Sequence, residues 1–189
     1  IEQAAADALK SLVGAVTGEQ PQHPESVDDA EDAMGYANVQ ISPLVLDLTG
    51  NGVNLTGLTA ASPYFDLAND GFARRTGWVG AGTGILALDP DGSNITSITQ
   101  LFGNATTDGF TMLRKLDSNG DGKIDAKDTS FSSLRVWVDA NGNATTEQGE
   151  LYTLAQLGIA SINLNATKVN QTVEGNRISS GSSYTLSNG

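Results

Sequence analysis

Asp117-Ser118-Asn119-Gly120-Asp121-Gly122-Lys123-Ile124-Asp125-Ala126-Lys127-Asp128 carries the densest chemistry in this chain, and the reading of the fold follows from it. Oxygen-bearing side chains stand at loop positions one, three, five, nine and twelve, namely Asp117, Asn119, Asp121, Asp125 and Asp128. Glycine stands at position six, where the chain must turn sharply, and the backbone carbonyl of Lys123 at position seven completes the oxygen set of a calcium loop. Ile124, at position eight, has no metal role and is expected to anchor the loop to a core through a short strand contact. Without a cation, four carboxylates in one turn repel one another, and a divalent ion removes that cost. The plainer alternative is a solvated Asn/Gly turn. Position twelve departs from the usual pattern, since Asp128 is one methylene shorter than the bidentate glutamate expected there.

A second loop follows after one short element. In Asp139-Ala140-Asn141-Gly142-Asn143-Ala144-Thr145-Thr146-Glu147-Gln148-Gly149-Glu150 the terminal glutamate is kept, position five is Asn143 and the turn glycine is replaced by Ala144. The candidate ligands are Asp139, Asn141, Asn143, the Thr145 carbonyl, Glu147 and Glu150. Between the loops, Phe131 to Val138 supplies apolar mass expected to tie both to one core.

The composition agrees with this chemistry. A chain of 189 residues can bury a sizeable core, and without cysteine it has no disulfide framework and no thiol chemistry. A net charge of −12 with no basic stripe argues against a nucleic-acid partner. No apolar run is long enough for a membrane span, and Ile1-Glu2 shows no basic start of a secretory signal, so the chain reads as a fragment of something longer.

Residues 1–18 are predicted to form a helix, because Leu9, Leu12, Val13 and Val16 recur at helical spacing and Gly18 can end it. Residues 19–38, with Pro21, Pro24 and several acids, read as a linker or arm, and His23 within it has no partner for triad or zinc chemistry. Residues 39–189 form the main module, with its last strand expected to be cut short. A strand-then-acidic-turn unit recurs there: Leu44-Val45-Leu46-Asp47 runs into Thr49 and Asn51, Tyr64-Phe65-Asp66 into Asp70, and Ile85 to Leu88 into Asp89 and Asp91. Asp47, Thr49, Asn51, Asp66, Asp70, Asp89 and Asp91 are therefore weaker calcium candidates, with capped β-turns as the alternative. Arg74 and Arg75 read as salt-bridge partners and Trp78 as core. Asp108 to Leu116 and Glu150 to Gly158 have helical spacing, whereas Ile159 to Leu164 and Tyr184 to Leu186 read as strands. The expected class is α+β: a loop-rich domain of short strands and helices organised around EF-hand-like loops.

Several stretches together carry a resemblance. Ser42-Pro43-Leu44-Val45-Leu46-Asp47-Leu48-Thr49-Gly50-Asn51-Gly52, Thr76-Gly77-Trp78-Val79, Leu101-Phe102-Gly103, Leu134-Arg135-Val136-Trp137-Val138-Asp139, Gly149-Glu150-Leu151 and Leu157 to Ile162 are similar to the self-processing module of FrpC-like iron-regulated RTX proteins of Gram-negative bacteria. The resemblance covers roughly residues 41–189. It implies a calcium-dependent module within a larger RTX protein, secreted or carried at the cell surface through a type I system. It also implies scission of an Asp-Pro bond at the module's N-terminal edge through a cyclic anhydride, which a lysine amine can open to an isopeptide cross-link. The corresponding bond here is Ser42-Pro43, and serine has no carboxylate to form the anhydride. No catalytic residue is assigned. The one Asp-Pro pair, Asp89-Pro90, lies mid-domain, where a metal-bound carboxylate attacks poorly. The sequence-level expectation is thus a calcium-binding structural module, with an autocatalytic protease and cross-linker as one alternative. A dockerin-like partner module, suggested by Asp128, is the other, although its two loops would be closer duplicates.

Overall fold

Leu44–Asp47 (β2) is buried at every position, and a strand with alternating side chains can be so only when both faces of its sheet are covered. Thr83–Leu88 (β7) and Leu134–Trp137 (β9) are buried at all but one position each, the exceptions being Leu88 and Arg135. The three pair antiparallel, with Val45 opposite Ile85 and Ile85 opposite Trp137. That row belongs to one apolar cluster, together with Phe65, Trp78 and Ile98, while Leu44, Leu46, Leu86 and Val136 belong to a second, with Phe110, Leu113, Ile124 and Ile162. The sheet therefore separates two cores.

This computed structural model describes residues 10–16, 41–89 and 91–188. Outside β9 lies Leu151–Thr153 (β10). On the far side of β2 come Lys10–Val16 (β1), Asn176–Leu186 (β13), Ile159–Asn163 (β11) and Lys123–Asp125 (β8), with Thr167–Val173 (β12) sharing an edge of β13, in a sheet of nine strands. Its pairings are antiparallel. Two short ribbons accompany it: Leu55–Thr56 (β3) with Trp78–Val79 (β6), and Tyr64–Phe65 (β4) with Arg74–Arg75 (β5).

This mostly β architecture corrects the α+β expectation. Among the described residues the only α-helix is Gly109–Arg114 (α1), capped by Asp108, whose carboxylate accepts the Thr111 N–H at 2.9 Å. Lys10–Val16, read as part of an N-terminal helix, is instead a strand held between β2 and β13. Leu12, Val13 and Val16 fit a helical period, but Gly14 disfavours a helix by about 1 kcal/mol, and two neighbouring strands satisfy its backbone on both sides. The rest of the predicted helix, the arm at 19–38 and His23 lie outside the described residues. The predicted helix at Glu150 to Gly158 is β10 followed by a turn, and Gly158 remains the stop, at φ 68°. The tail forms the β12–β13 hairpin, turning at Glu174 and Gly175, both at positive φ as tight hairpin turns require. Tyr184 of β13 donates its hydroxyl to the Asp47 carbonyl at 2.6 Å, and burial pushes that phenol well above its usual range.

Candidate functional site

The loop beginning at Asp117 is closed at both ends by its own carboxylates. Asp117 accepts the backbone N–H groups of Gly120 at 2.8 Å, Asp121 at 3.2 Å and Gly122 at 3.0 Å, which are loop positions four, five and six. Asp128 accepts the N–H groups of Ser118 at 2.8 Å and Asp125 at 2.9 Å, positions two and nine. Burial pushes the Asp128 carboxyl up, but those donors and the Ser118 hydroxyl outweigh it and hold the group below its ordinary value. Ile124 does what its place suggested: it is fully buried in β8 and paired opposite Ile162. The Lys123 amine reaches Asp125 at 3.1 Å and Asp121 at 4.0 Å, placing a cation beside positions five and nine.

The loop beginning at Asp139 repeats the clasp. Asp139 accepts from Gly142 at 2.7 Å, Asn143 at 3.3 Å and Ala144 at 2.8 Å, and Glu150 accepts from Ala140 at 2.9 Å and Glu147 at 3.0 Å. The position-eight anchor is made differently, since the Thr146 hydroxyl accepts the Ile95 N–H at 2.9 Å. Two contacts were invisible in the sequence. The Trp78 indole donates to Asp139 at 2.7 Å and the Trp137 indole to Glu150 at 3.4 Å, so both tryptophans of the chain touch this loop's end carboxylates. Their rings meet edge-on at 5.4 Å. The available signal was general: a buried indole N–H needs an acceptor, and the acids lie nearby. The two loops do not share one core, because Ile124 packs in the cluster on one side of the sheet and Ala144 in the other.

The remaining candidates form partial copies. Asp47 accepts from Thr49 at 3.0 Å, Gly50 at 2.9 Å and Gly52 at 2.8 Å, and these donors, outweighing burial, hold its carboxyl below the usual range. Asp66 likewise accepts from Asp70 at 3.2 Å and Gly71 at 3.0 Å. Asp70 is already engaged by the Arg74 guanidinium, with N–O distances of 2.9 and 2.6 Å, and this pairing holds it down to about 2. Arg75 differs from expectation: it stacks on Tyr64 at 5.2 Å and donates to its hydroxyl at 2.7 Å, with no acid partner among the described residues. Asp89 is buried, accepts the Ser93 hydroxyl through Oδ1 at 2.9 Å, and leaves Oδ2 without a hydrogen bond among the described residues, while Asp91 is exposed. Ser42 also keeps a buried hydroxyl with no hydrogen-bond partner among the described residues.

The donor chemistry fits a hard divalent cation, because both full loops offer side-chain and carbonyl oxygen throughout. Their carboxylates are turned onto backbone N–H groups, however, and among the described residues no three His, Cys, Asp or Glu side chains form a group able to hold a metal by themselves. Amide and carbonyl oxygens would have to complete either shell. Also among the described residues, no helix is long and apolar enough to cross a membrane.

With this geometry in hand, the similarity to known proteins can be placed on it. Iron-regulated protein FrpA of Neisseria meningitidis serogroup C is 39% identical over an alignment of 158 residues that covers 78% of this chain and 14% of that protein. The SPM domain family matches residues 44–189, a span that takes in α1, both full loops, both partial ones and every described strand but β1. The fold and the clasped loops therefore fall inside a recognised unit, and the chain belongs to the SPM domain family.

Proposed function

We propose that the chain is a calcium-binding structural module of a larger, secreted, FrpA-like protein, and that ion binding in its two full loops stabilises the sheet. One observation carries this reading: two loops of different sequence adopt the same clasp, the first carboxylate gathering positions four to six and the last gathering positions two and nine. The clasp sets the backbone curl in advance. Asp117, Asn119, Asp121, the Lys123 carbonyl, Asp125 and Asp128 would hold one ion, and Asp139, Asn141, Asn143, the Thr145 carbonyl, Glu147 and Glu150 the other. The Asp47 and Asp66 turns, each left with one carboxylate that clasps backbone N–H groups, are read as structural turns of the same shape. The −12 charge favours a cation partner, and the FrpA similarity supports a place within a long polypeptide. Ser42-Pro43 is expected to stay intact in calcium, as a mass measurement of the incubated chain will show.

Calcium in this role would neutralise the clustered carboxylates and take the loops' oxygens as its ligands. Extracellular calcium modules bind at a Kd of about 10⁻⁴–10⁻³ M. Because both tryptophans contact the Asp139 loop, their emission should change saturably in that range, and Asp139→Asn should abolish the change while Asp117→Asn preserves it. Emission and melting identical in calcium and in EDTA would defeat the reading.

A further inference from the structure

We propose that Asn51 is a site of spontaneous deamidation in the folded protein, while Asn119 and Asn141, in the same Asn-Gly pair, are shielded by their loops. In this reaction the backbone nitrogen of the glycine attacks the asparagine Cγ. A C–N bond closes a five-membered succinimide, the Cγ–Nδ2 bond breaks, and ammonia leaves with the proton of the glycine amide. Water then opens the ring at either carbonyl, giving aspartate or isoaspartate. Glycine in second place favours the attack because no Cβ hinders it.

Of the four Asn-Gly pairs in the sequence, Asn188-Gly189 reaches outside the described residues; the sequence alone ranks the other three equally, and so does exposure, since Asn51, Asn119 and Asn141 are all exposed. The nucleophile is also held alike: the N–H of Gly52 is bound by Asp47 at 2.8 Å, that of Gly120 by Asp117 at 2.8 Å and that of Gly142 by Asp139 at 2.7 Å. The difference lies at the electrophile. Asn119 accepts the Asp121 N–H at 3.0 Å and donates its amide to Asp121 at 3.1 Å. Asn141 accepts the Asn143 N–H at 3.1 Å and donates to Glu147 at 3.1 Å. Both amides are thereby pinned through oxygen and nitrogen, and Cγ cannot swing toward its own glycine without breaking two hydrogen bonds. Among the described residues the Asn51 amide makes no such bond, while its backbone N–H is held by the Thr49 hydroxyl at 3.2 Å. The far clasp is missing too. Counting from Asp47, position twelve is Leu58, an exposed apolar residue with no oxygen to close the loop.

Conversion to aspartate places a second carboxylate beside Asp47 in this turn. Conversion to isoaspartate lengthens the backbone by a methylene and breaks the bond from Gly52 to Asp47.

The test is to hold the chain at mildly alkaline pH in calcium buffer, with tryptophan emission confirming the fold, and to follow the three asparagines by peptide mapping and mass spectrometry beside a urea-unfolded sample. Expected is conversion at Asn51 severalfold faster than at Asn119 and Asn141 in the folded sample, with the three rates converging in urea. Equal rates in the folded protein, faster conversion at Asn119 or Asn141, or an Asn51 that stays intact while the unfolded chain converts, would each overturn the proposal. The inference compares side-chain hydrogen bonds in the three turns and makes no use of ion binding, so its failure leaves the calcium reading of the two full loops standing.

Discussion

Position six of the two full loops shows how one residue's cost depends on its surroundings. Gly122 sits at φ 82° with open space where a Cβ would point, its nearest neighbour there being the Asn165 amide at 3.8 Å. Ala144 occupies the equivalent place at φ 56°, with its methyl buried against the tryptophan core. A left-handed non-glycine residue is strained by about 1–2 kcal/mol, glycine loses about 0.4–1 kcal/mol of unfolded-state entropy, and a buried methyl contributes about 0.8 kcal/mol. Gly122→Ala should therefore destabilise by about 0.5–1 kcal/mol, whereas in Ala144→Gly the relief of strain and the lost contacts nearly cancel. Urea unfolding of the pair measures both, and a large loss in the second alone would show that the core contact dominates. A residue-scale pH effect also follows. Asp47 and Asp128 have folded values below the ordinary aspartate value of about 3.9, so their contribution is full above it and disappears as pH falls through the lowered values. Stability should drop on acidification below about pH 4, and Asp128→Asn should flatten that part of the profile.

At the scale of elements, the strand-then-turn units were legible because each joins an apolar run to an acid and a glycine or asparagine, and both halves have local causes. Loop one's anchor at Ile124 and helix α1 were legible for the same reason. Lys10–Val16 was not, because its pairing partners lie more than thirty residues away on one side and near the other end of the chain on the other. Nor was most of β13, where Ile178 and Tyr184 stand buried among serines and the long-range pairing decides. Leu101-Phe102-Gly103 illustrates a motif whose meaning only the structure supplies. The Phe102 carbonyl accepts the Leu44 N–H at 3.1 Å, and Gly103, at φ 107°, lies so close to the Ser42 carbonyl that a Cβ would overlap it. This contact fixes where β2 begins. Gly103→Ala combines left-handed strain with a clash against backbone that cannot rotate away, so a loss of about 3 kcal/mol or more is expected. A variant melting within a degree or two of the parent would show that the approach has slack.

At the scale of the molecule, the two full loops brace opposite faces of one sheet, the first through Ile124 and the second through the Trp78–Trp137 pair, and the chain between them runs through β9. Sites on separate cores with few shared neighbours should act nearly additively. At free calcium tenfold above Kd, each independent site adds about 1.4 kcal/mol, and each kcal/mol moves the melting point of a domain this size by about 2–4 °C. Calcium should then raise the melting temperature by about 6–11 °C over EDTA. Asp117→Asn and Asp139→Asn should each remove about half of that rise. If either substitution removed all of it, the sheet would be transmitting occupancy from one face to the other, and calcium would act as a cooperative switch in place of two separate fastenings.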